Sequence, residues 1–88
     1  MNRQEILEKA EKCVCGERDL DYGTPENNFS CIAEMWSTYL GCPITAEDVS
    51  AMMILLKVAR IVGGSKSIDN WVDIAGYAAC GGEVSRHE

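Results

Sequence analysis

"ITAEDVSAMMILLKVARIVGG", residues 44–64, is apolar nearly all the way round once its charged start is passed. Thr45 and Asp48 stand at the spacing of an approximate capping box, and Ile44 is the apolar residue before the cap. The body that follows (Val49, Met52 to Leu56, Val58, Ala59, Ile61) shows no strand-like alternation, and Gly63 with Gly64 stops it. This grammar predicts a helix over 46–62. A helix with so little polar face belongs at the centre of a bundle or in an interface.

The segments on either side obey the same rules. Residues 3–14 place Ile6, Leu7, Ala10 and Val14 at helical spacing with charges between them. "CGERDLDYG" breaks that pattern. Thr24 then offers a cap and Pro25 a first helical position for a helix over 26–40, which carries Phe29, Ile32, Ala33, Trp36, Tyr39 and Leu40 along one stripe. Gly41 ends it and Pro43 prevents its continuation. Ser67 is the expected cap of a last helix over 68–80, after which Gly81 and Gly82 release a polar tail, 83–88. No repeat and no alternating strand pattern of useful length occurs. The expectation is one all-α domain over 1–88, a compact four-helix arrangement.

At 88 residues, the chain is near the lower end of what folds alone, and such a chain buries only about 60–65% of its unfolded surface. Its core is therefore thin, and a homo-oligomer is expected. Fourteen acids against eight bases give a net charge of −6. That balance argues against nucleic-acid polymers and anionic membranes as partners, because both need a basic footprint. No apolar run qualifies as a membrane span, and "MNRQEILEKAEK" has no signal-peptide core, so the expected location is the cytoplasm. The five cysteines are odd in number and contain no CxxC pair. With the only histidine at position 87, they read as reduced thiols rather than as a zinc site or a disulfide framework.

Four charges interrupt the apolar helices. Lys57 and Arg60 share a face of 46–62, and Asp69 and Asp73 share a face of the next helix. The short connection makes these helices antiparallel neighbours, which brings the four toward one end. They can pair with each other as interhelical salt bridges. They can also form a pocket in which the two bases meet phosphate oxygens and the acids orient the bases or hold a divalent metal.

The loop "RDLDYGTPENNF" is a second candidate. A Tyr-Gly joint before a Thr-Pro helix start offers backbone N–H groups to an anion, a tyrosine to stack on a base and an asparagine to read its edge. The plain alternative is a turn and a cap. The aromatic residues Trp36, Tyr39, Trp71 and Tyr77 suit core or interface first. In "DNWVDIAGYAACGG", residues 69–82, the small residues fit close packing, with Gly76 turned toward the bulky helix 46–62. No P-loop, no GxGxxG and no nucleophile-and-base set can be assembled. The candidate ligand-binding set is Arg18, Tyr22, Gly23, Thr24, Asn28, Trp36, Lys57, Arg60, Asp69, Asn70, Asp73 and Tyr77.

Taken together, "R…DYGTPENNF", "IAEMWSTYLG", "ITAEDVSAMMILLKVARI" and "DNWVDIAGYAACGGE" resemble a family of small, functionally uncharacterised bacteriophage and prophage proteins, over residues 17–83 or so. More distantly, the YG loop, the KxxR helix and the DNWxDxAGY helix look like the MazG-like and nucleotide-modification-associated all-α families. Those enzymes use Mg²⁺ to cleave nucleoside triphosphates to monophosphate and pyrophosphate. That likeness implies metal ligands at Asp69 and Asp73, with Glu34 as a third. The EExxE element that such enzymes carry on another helix has no counterpart here: helix 26–40 offers only Glu26 and Glu34, and the first helix only Glu5, Glu8 and Glu11. The expectation that follows is a phage-encoded binding protein acting in the host cytosol, needing neither metal nor cofactor. It would sequester a nucleotide-derived molecule such as a cyclic nucleotide signal of host anti-phage immunity. A Mg²⁺-dependent pyrophosphohydrolase is the alternative.

Overall fold

A computed structural model describes residues 1–15 and 24–85. They form a four-helix bundle of α1 (Arg3–Val14), α2 (Pro25–Leu40), α3 (Ala46–Val62) and α4 (Asp69–Ser85). Each start is written locally. Asn2 accepts the backbone N–H of Glu5, whose carboxylate accepts the N–H of Asn2, so α1 opens on a capping box. Thr24 Oγ1 accepts from Asn27 N–H and Pro25 fills the first position of α2. Thr45 and Asp48 exchange the same reciprocal pair, at 3.1 and 3.0 Å, to open α3. Gly41 closes α2 at φ 72°, a left-handed position that a side chain would strain.

The corner between α2 and α3 is held by one hydroxyl. Ser37 Oγ donates to the Ala33 carbonyl at 2.7 Å and accepts the Ile44 N–H at 2.8 Å, which ties the exit of α2 to the entry of α3. Beneath it Phe29, Ala33, Val49 and Cys80 form the core, with Val14, Ile32, Trp36, Met53 and Tyr77 packed around them. The core is as thin as the length implies: Val49 and Val72 are its largest fully buried apolar side chains.

α4 is the hub, packing most extensively on α3, then on α1, and touching α2 more lightly. Two contacts set its register on α3. A Cβ at Gly81 would lie 2.9 Å from Ser50 Cβ, and Lys57 Nζ meets Asp73 Oδ2 at 2.9 Å. The partners advance in opposite directions along the two chains, so the helices are antiparallel. α1 lies on the other side of α4 and runs parallel to it, with Lys9 opposite Asp69 and Val14 opposite Gly76.

Two expectations need correction. The last helix does not stop at Cys80: it continues through Gly81 and Gly82 to Ser85. Two helical glycines cost roughly 1 kcal/mol each relative to alanine, but Gly81 is what lets α4 lie against the first turns of α3. Nor does Gly76 face α3. Its missing side chain makes room for Val14 of α1, whose Cγ1 would be 3.0 Å from an added Cβ.

The two helical contacts predict a measurable asymmetry. Gly81→Ala must push α3 and α4 apart, because Ser50 Cβ is anchored directly to backbone. Even after the gain in helix propensity it should cost about 1–2 kcal/mol, read as a drop of several degrees in melting temperature. Gly76→Ala meets only the end of a side chain and should cost less.

Candidate functional site

The polar end of the α3–α4 pair brings together part of the charge set found in the sequence. Lys57 sits about one and a half turns from the C-terminal end of α3 on its inward side, with its side chain only 12% exposed. Asp73 is on the second turn of α4 and closes the ion pair. Burial of the lysine stem with only the head reaching its partner is the usual way such a side chain enters an apolar setting. Asp69 does not join this pair. It takes Lys9 of α1 at 3.0 Å in an open setting, with side chains 44% and 62% exposed. Arg60, one turn beyond Lys57, is exposed and makes no ion pair among the described residues.

Asn70 is buried, and its Nδ2 donates to Ser65 Oγ at 2.9 Å. Ser65 Oγ also accepts the Ser67 N–H, and Ser67 Oγ accepts the Asp69 N–H. Asn70 therefore pins the α3–α4 turn from within. Of the five charged and polar candidates here, Lys57 and Asp73 are thus in contact and Arg60 lies one turn along the same helix, whereas Asp69 turns to α1 and Asn70 to the α3–α4 turn.

The remaining candidates lie elsewhere. Thr24 is occupied in capping α2, and Asn28, half-buried, donates its backbone N–H to the Thr24 carbonyl. Trp36 is half-buried against the core. Tyr77 is half-buried with its ring 6.3 Å from Phe29, tilted by 36°. Glu34 lines a separate hollow with Ser30, Ser37, Thr38 and Thr45, between α2 and the start of α3. Among the described residues no three His, Cys, Asp or Glu side chains are grouped closely enough to hold a metal ion. Arg18, Tyr22 and Gly23 lie outside the described residues.

Two residues that sequence reasoning passed over matter to this geometry. Lys9 lies on the inward side of α1 between Ile6 and Ala10, and a base in that position was the available signal. Ser50 lies at inward spacing from Ala46, Val49 and Met53. Its hydroxyl is buried with no hydrogen-bond partner among the described residues.

This is an all-α domain with one shielded ion pair and an open arginine at the turn joining its two most closely packed helices. Residues 5–85 match the family described as Domain of unknown function (DUF6378), and the chain belongs to that family. It is 44% identical over 77 residues to the Gene 55 protein of Mycobacterium phage D29, which covers 88% of this chain and 51% of that protein. It is 47% identical over 74 residues to the Gene 55 protein of Mycobacterium phage L5, covering 83% of this chain and 47% of that protein. The chain thus spans about half the length of the curated relatives it matches. No solved structure matches it at a significant level. No helix of the described residues is long and apolar enough to cross a membrane.

The two ion pairs should differ in energy because they differ in shielding. Lys9→Ala is expected to cost no more than about 0.5 kcal/mol in denaturant unfolding, since both members of its ion pair are open to water. Lys57→Ala is expected to cost about 2 kcal/mol, because it removes a packed stem and leaves Asp73 without its counter-charge.

Proposed function

We propose that the protein is a binding protein that sequesters a nucleotide-derived small molecule without turning it over. In this reading it acts as a homo-oligomer in the cytosol of a phage-infected cell, and a cyclic nucleotide signal of host anti-phage immunity is the ligand type it favours. The observation that carries the reading is the Lys57–Asp73 pair with Arg60 beside it. A lysine fixed by its counter-ion and an arginine one turn away, without an ion-pair partner among the described residues, make a preorganised seat for phosphate oxygens. In the same reading Tyr22, Gly23, Thr24 and Asn28 belong to the ligand-binding set on the sequence pattern of their loop alone, the tyrosine and asparagine suited to a base and the Gly-Thr joint to an anion. The viral origin of both relatives supports the phage setting.

The alternative is a Mg²⁺-dependent pyrophosphohydrolase of the MazG-like kind, in which Asp69, Asp73 and Glu34 would hold the metal. The lysine partners of Asp69 and Asp73, and the separate hollow that Glu34 lines, weigh toward binding without hydrolysis.

One incubation separates the two. Purified protein is mixed with a panel of nucleotides and cyclic oligonucleotides, with and without Mg²⁺, filtered, and both the free fraction and the ligand released by denaturation are analysed. Sequestration predicts intact ligand recovered only after denaturation, independent of Mg²⁺, with Arg60→Ala weakening retention about 10- to 100-fold at unchanged helicity. Cleaved product that needs Mg²⁺ and vanishes in Asp73→Asn would replace this reading with the hydrolase. Retention of none of the panel would overturn both.

A further inference from the structure

Two residues at one place on the molecule carry costs that the packing of the helices does not explain. Ser50, in the second turn of α3, is 2% exposed, and its hydroxyl has no hydrogen-bond partner among the described residues. A helical serine or threonine commonly donates to the carbonyl four residues back. In α2, Ser37 does so to Ala33 at 2.7 Å and Thr38 to Glu34 at 3.0 Å. Ser50 does not. Its Oγ lies toward α4, 3.3 Å from where a Cβ of Gly81 would stand. Gly82 is the second residue. Its φ is not left-handed, and an added Cβ would meet nothing within 4 Å. Neither backbone conformation nor helix packing asks for glycine there, and alanine would favour the helix.

Both residues line one groove of about 300 Å³ between the start of α3 and the end of α4. Ala51, Ile54 and Ala78 make it largely apolar, and half-buried Tyr77 adds a phenol ring. Glu47 and Ser85 complete the lining, the Ser85 hydroxyl donating to the Gly82 carbonyl.

We infer that this groove is a binding site for a small uncharged aromatic molecule carrying an N–H or O–H donor, its ring against Tyr77 and Ile54 and its donor on Ser50 Oγ. The inference goes beyond the phosphate seat and does not rest on it. Ser50 stands seven residues before Lys57, about 10 Å along the helix.

The ligand class follows from the lining. The groove lies at the C-terminal end of α4, where the helix dipole is negative, which disfavours an anion and prefers a donor to an acceptor. Its apolar walls make burying any full charge costly. A flat ring suits a floor of glycine and alanine, and Tyr77 offers it a stacked or edge contact. The bound donor supplies the partner that the Ser50 hydroxyl lacks among the described residues, and the bare Gly82 leaves room for the ring. Seating requires the last turn of α4 to lift enough to uncover that hydroxyl. Two consecutive helical glycines make this turn the pliable one.

The test titrates indole into the full chain labelled with ¹⁵N, with 1-methylindole as the counterpart lacking the donor. Indole should shift the amide resonances of Ser50, Ile54, Tyr77 and Gly81 saturably and leave those of α1 in place. 1-Methylindole should bind about 3- to 10-fold more weakly, the worth of one hydrogen bond. Ser50→Ala should bind the two probes alike, and without ligand it should melt at a higher temperature, because the orphaned hydroxyl is gone. Gly82→Leu should fold, since its Cβ enters open space, and should lose the indole shifts. Shifts that are absent, that fail to saturate or that survive Gly82→Leu would overturn the inference. Equal affinity for the two probes in the unaltered protein would do the same. Nucleotide retention is read with other probes and at other residues, so the two proposals fail separately.

Discussion

The distance between α3 and α4 is the quantity on which the rest of the molecule depends. Ser50 and Gly81 bring the two backbones together near the start of α3, and the same register, carried toward the other end, delivers Lys57 to Asp73. A thin core cannot impose such a register by bulk alone, because few large side chains are buried to resist sliding. A glycine that tolerates only one depth of approach and an ion pair that tolerates only one axial position do it instead. The cost is a buried hydroxyl at Ser50 with no hydrogen-bond partner among the described residues, about 1–3 kcal/mol in general.

Local signals and long-range ones were not equally legible in the sequence. The Thr24 and Thr45 caps, Pro25, and the left-handed Gly41 are decided within four residues, and the helices begin and end there accordingly. Periodicity identified the inward faces only in part: Phe29 and Ala33 are buried as their stripe implies, but Leu7, Tyr39 and Leu40 of the same stripes are exposed, and the all-round apolar α3 offered no single face. Nor could periodicity name the helix that a face would meet. Small packing against large matches Gly76 to α3, yet it meets Val14 of α1. Asp69 was grouped with Lys57 and Arg60, and it pairs with Lys9, 60 residues away in the chain. Glycine usually terminates helices, and a local reading therefore ends the last helix at Gly81 and Gly82. Here Gly81 lies inside one, where its lack of a side chain is used by a neighbour invisible to any local window.

That same limit applies to the site. Charges placed among apolar residues mark where something must compensate them, and the sequence located that place at the α3–α4 turn. Whether the compensation comes from inside the protomer is a question of which helix lies opposite, and the structure answers it differently for the two aspartates. The Asn70–Ser65 bond shows how much of the turn is spent on holding its own shape.

The attachment of α1 has a consequence for how the molecule opens. This helix makes its tertiary contacts chiefly with α4, through a solvent-exposed ion pair, one small buried side chain at Ala10 and the Val14–Gly76 contact. The α2–α3 corner, by contrast, is tied by a hydroxyl bridging seven residues, and α3 and α4 interlock along their length. α1 is therefore a unit that can open while the α3–α4 interface stays closed. Its amide protons should exchange with solvent through detachment of the helix as a whole, while those of α3 wait for global unfolding. Detachment of α1 would leave the α3–α4 interface and the α2–α3 corner in place, a three-helix remainder of the four-helix bundle.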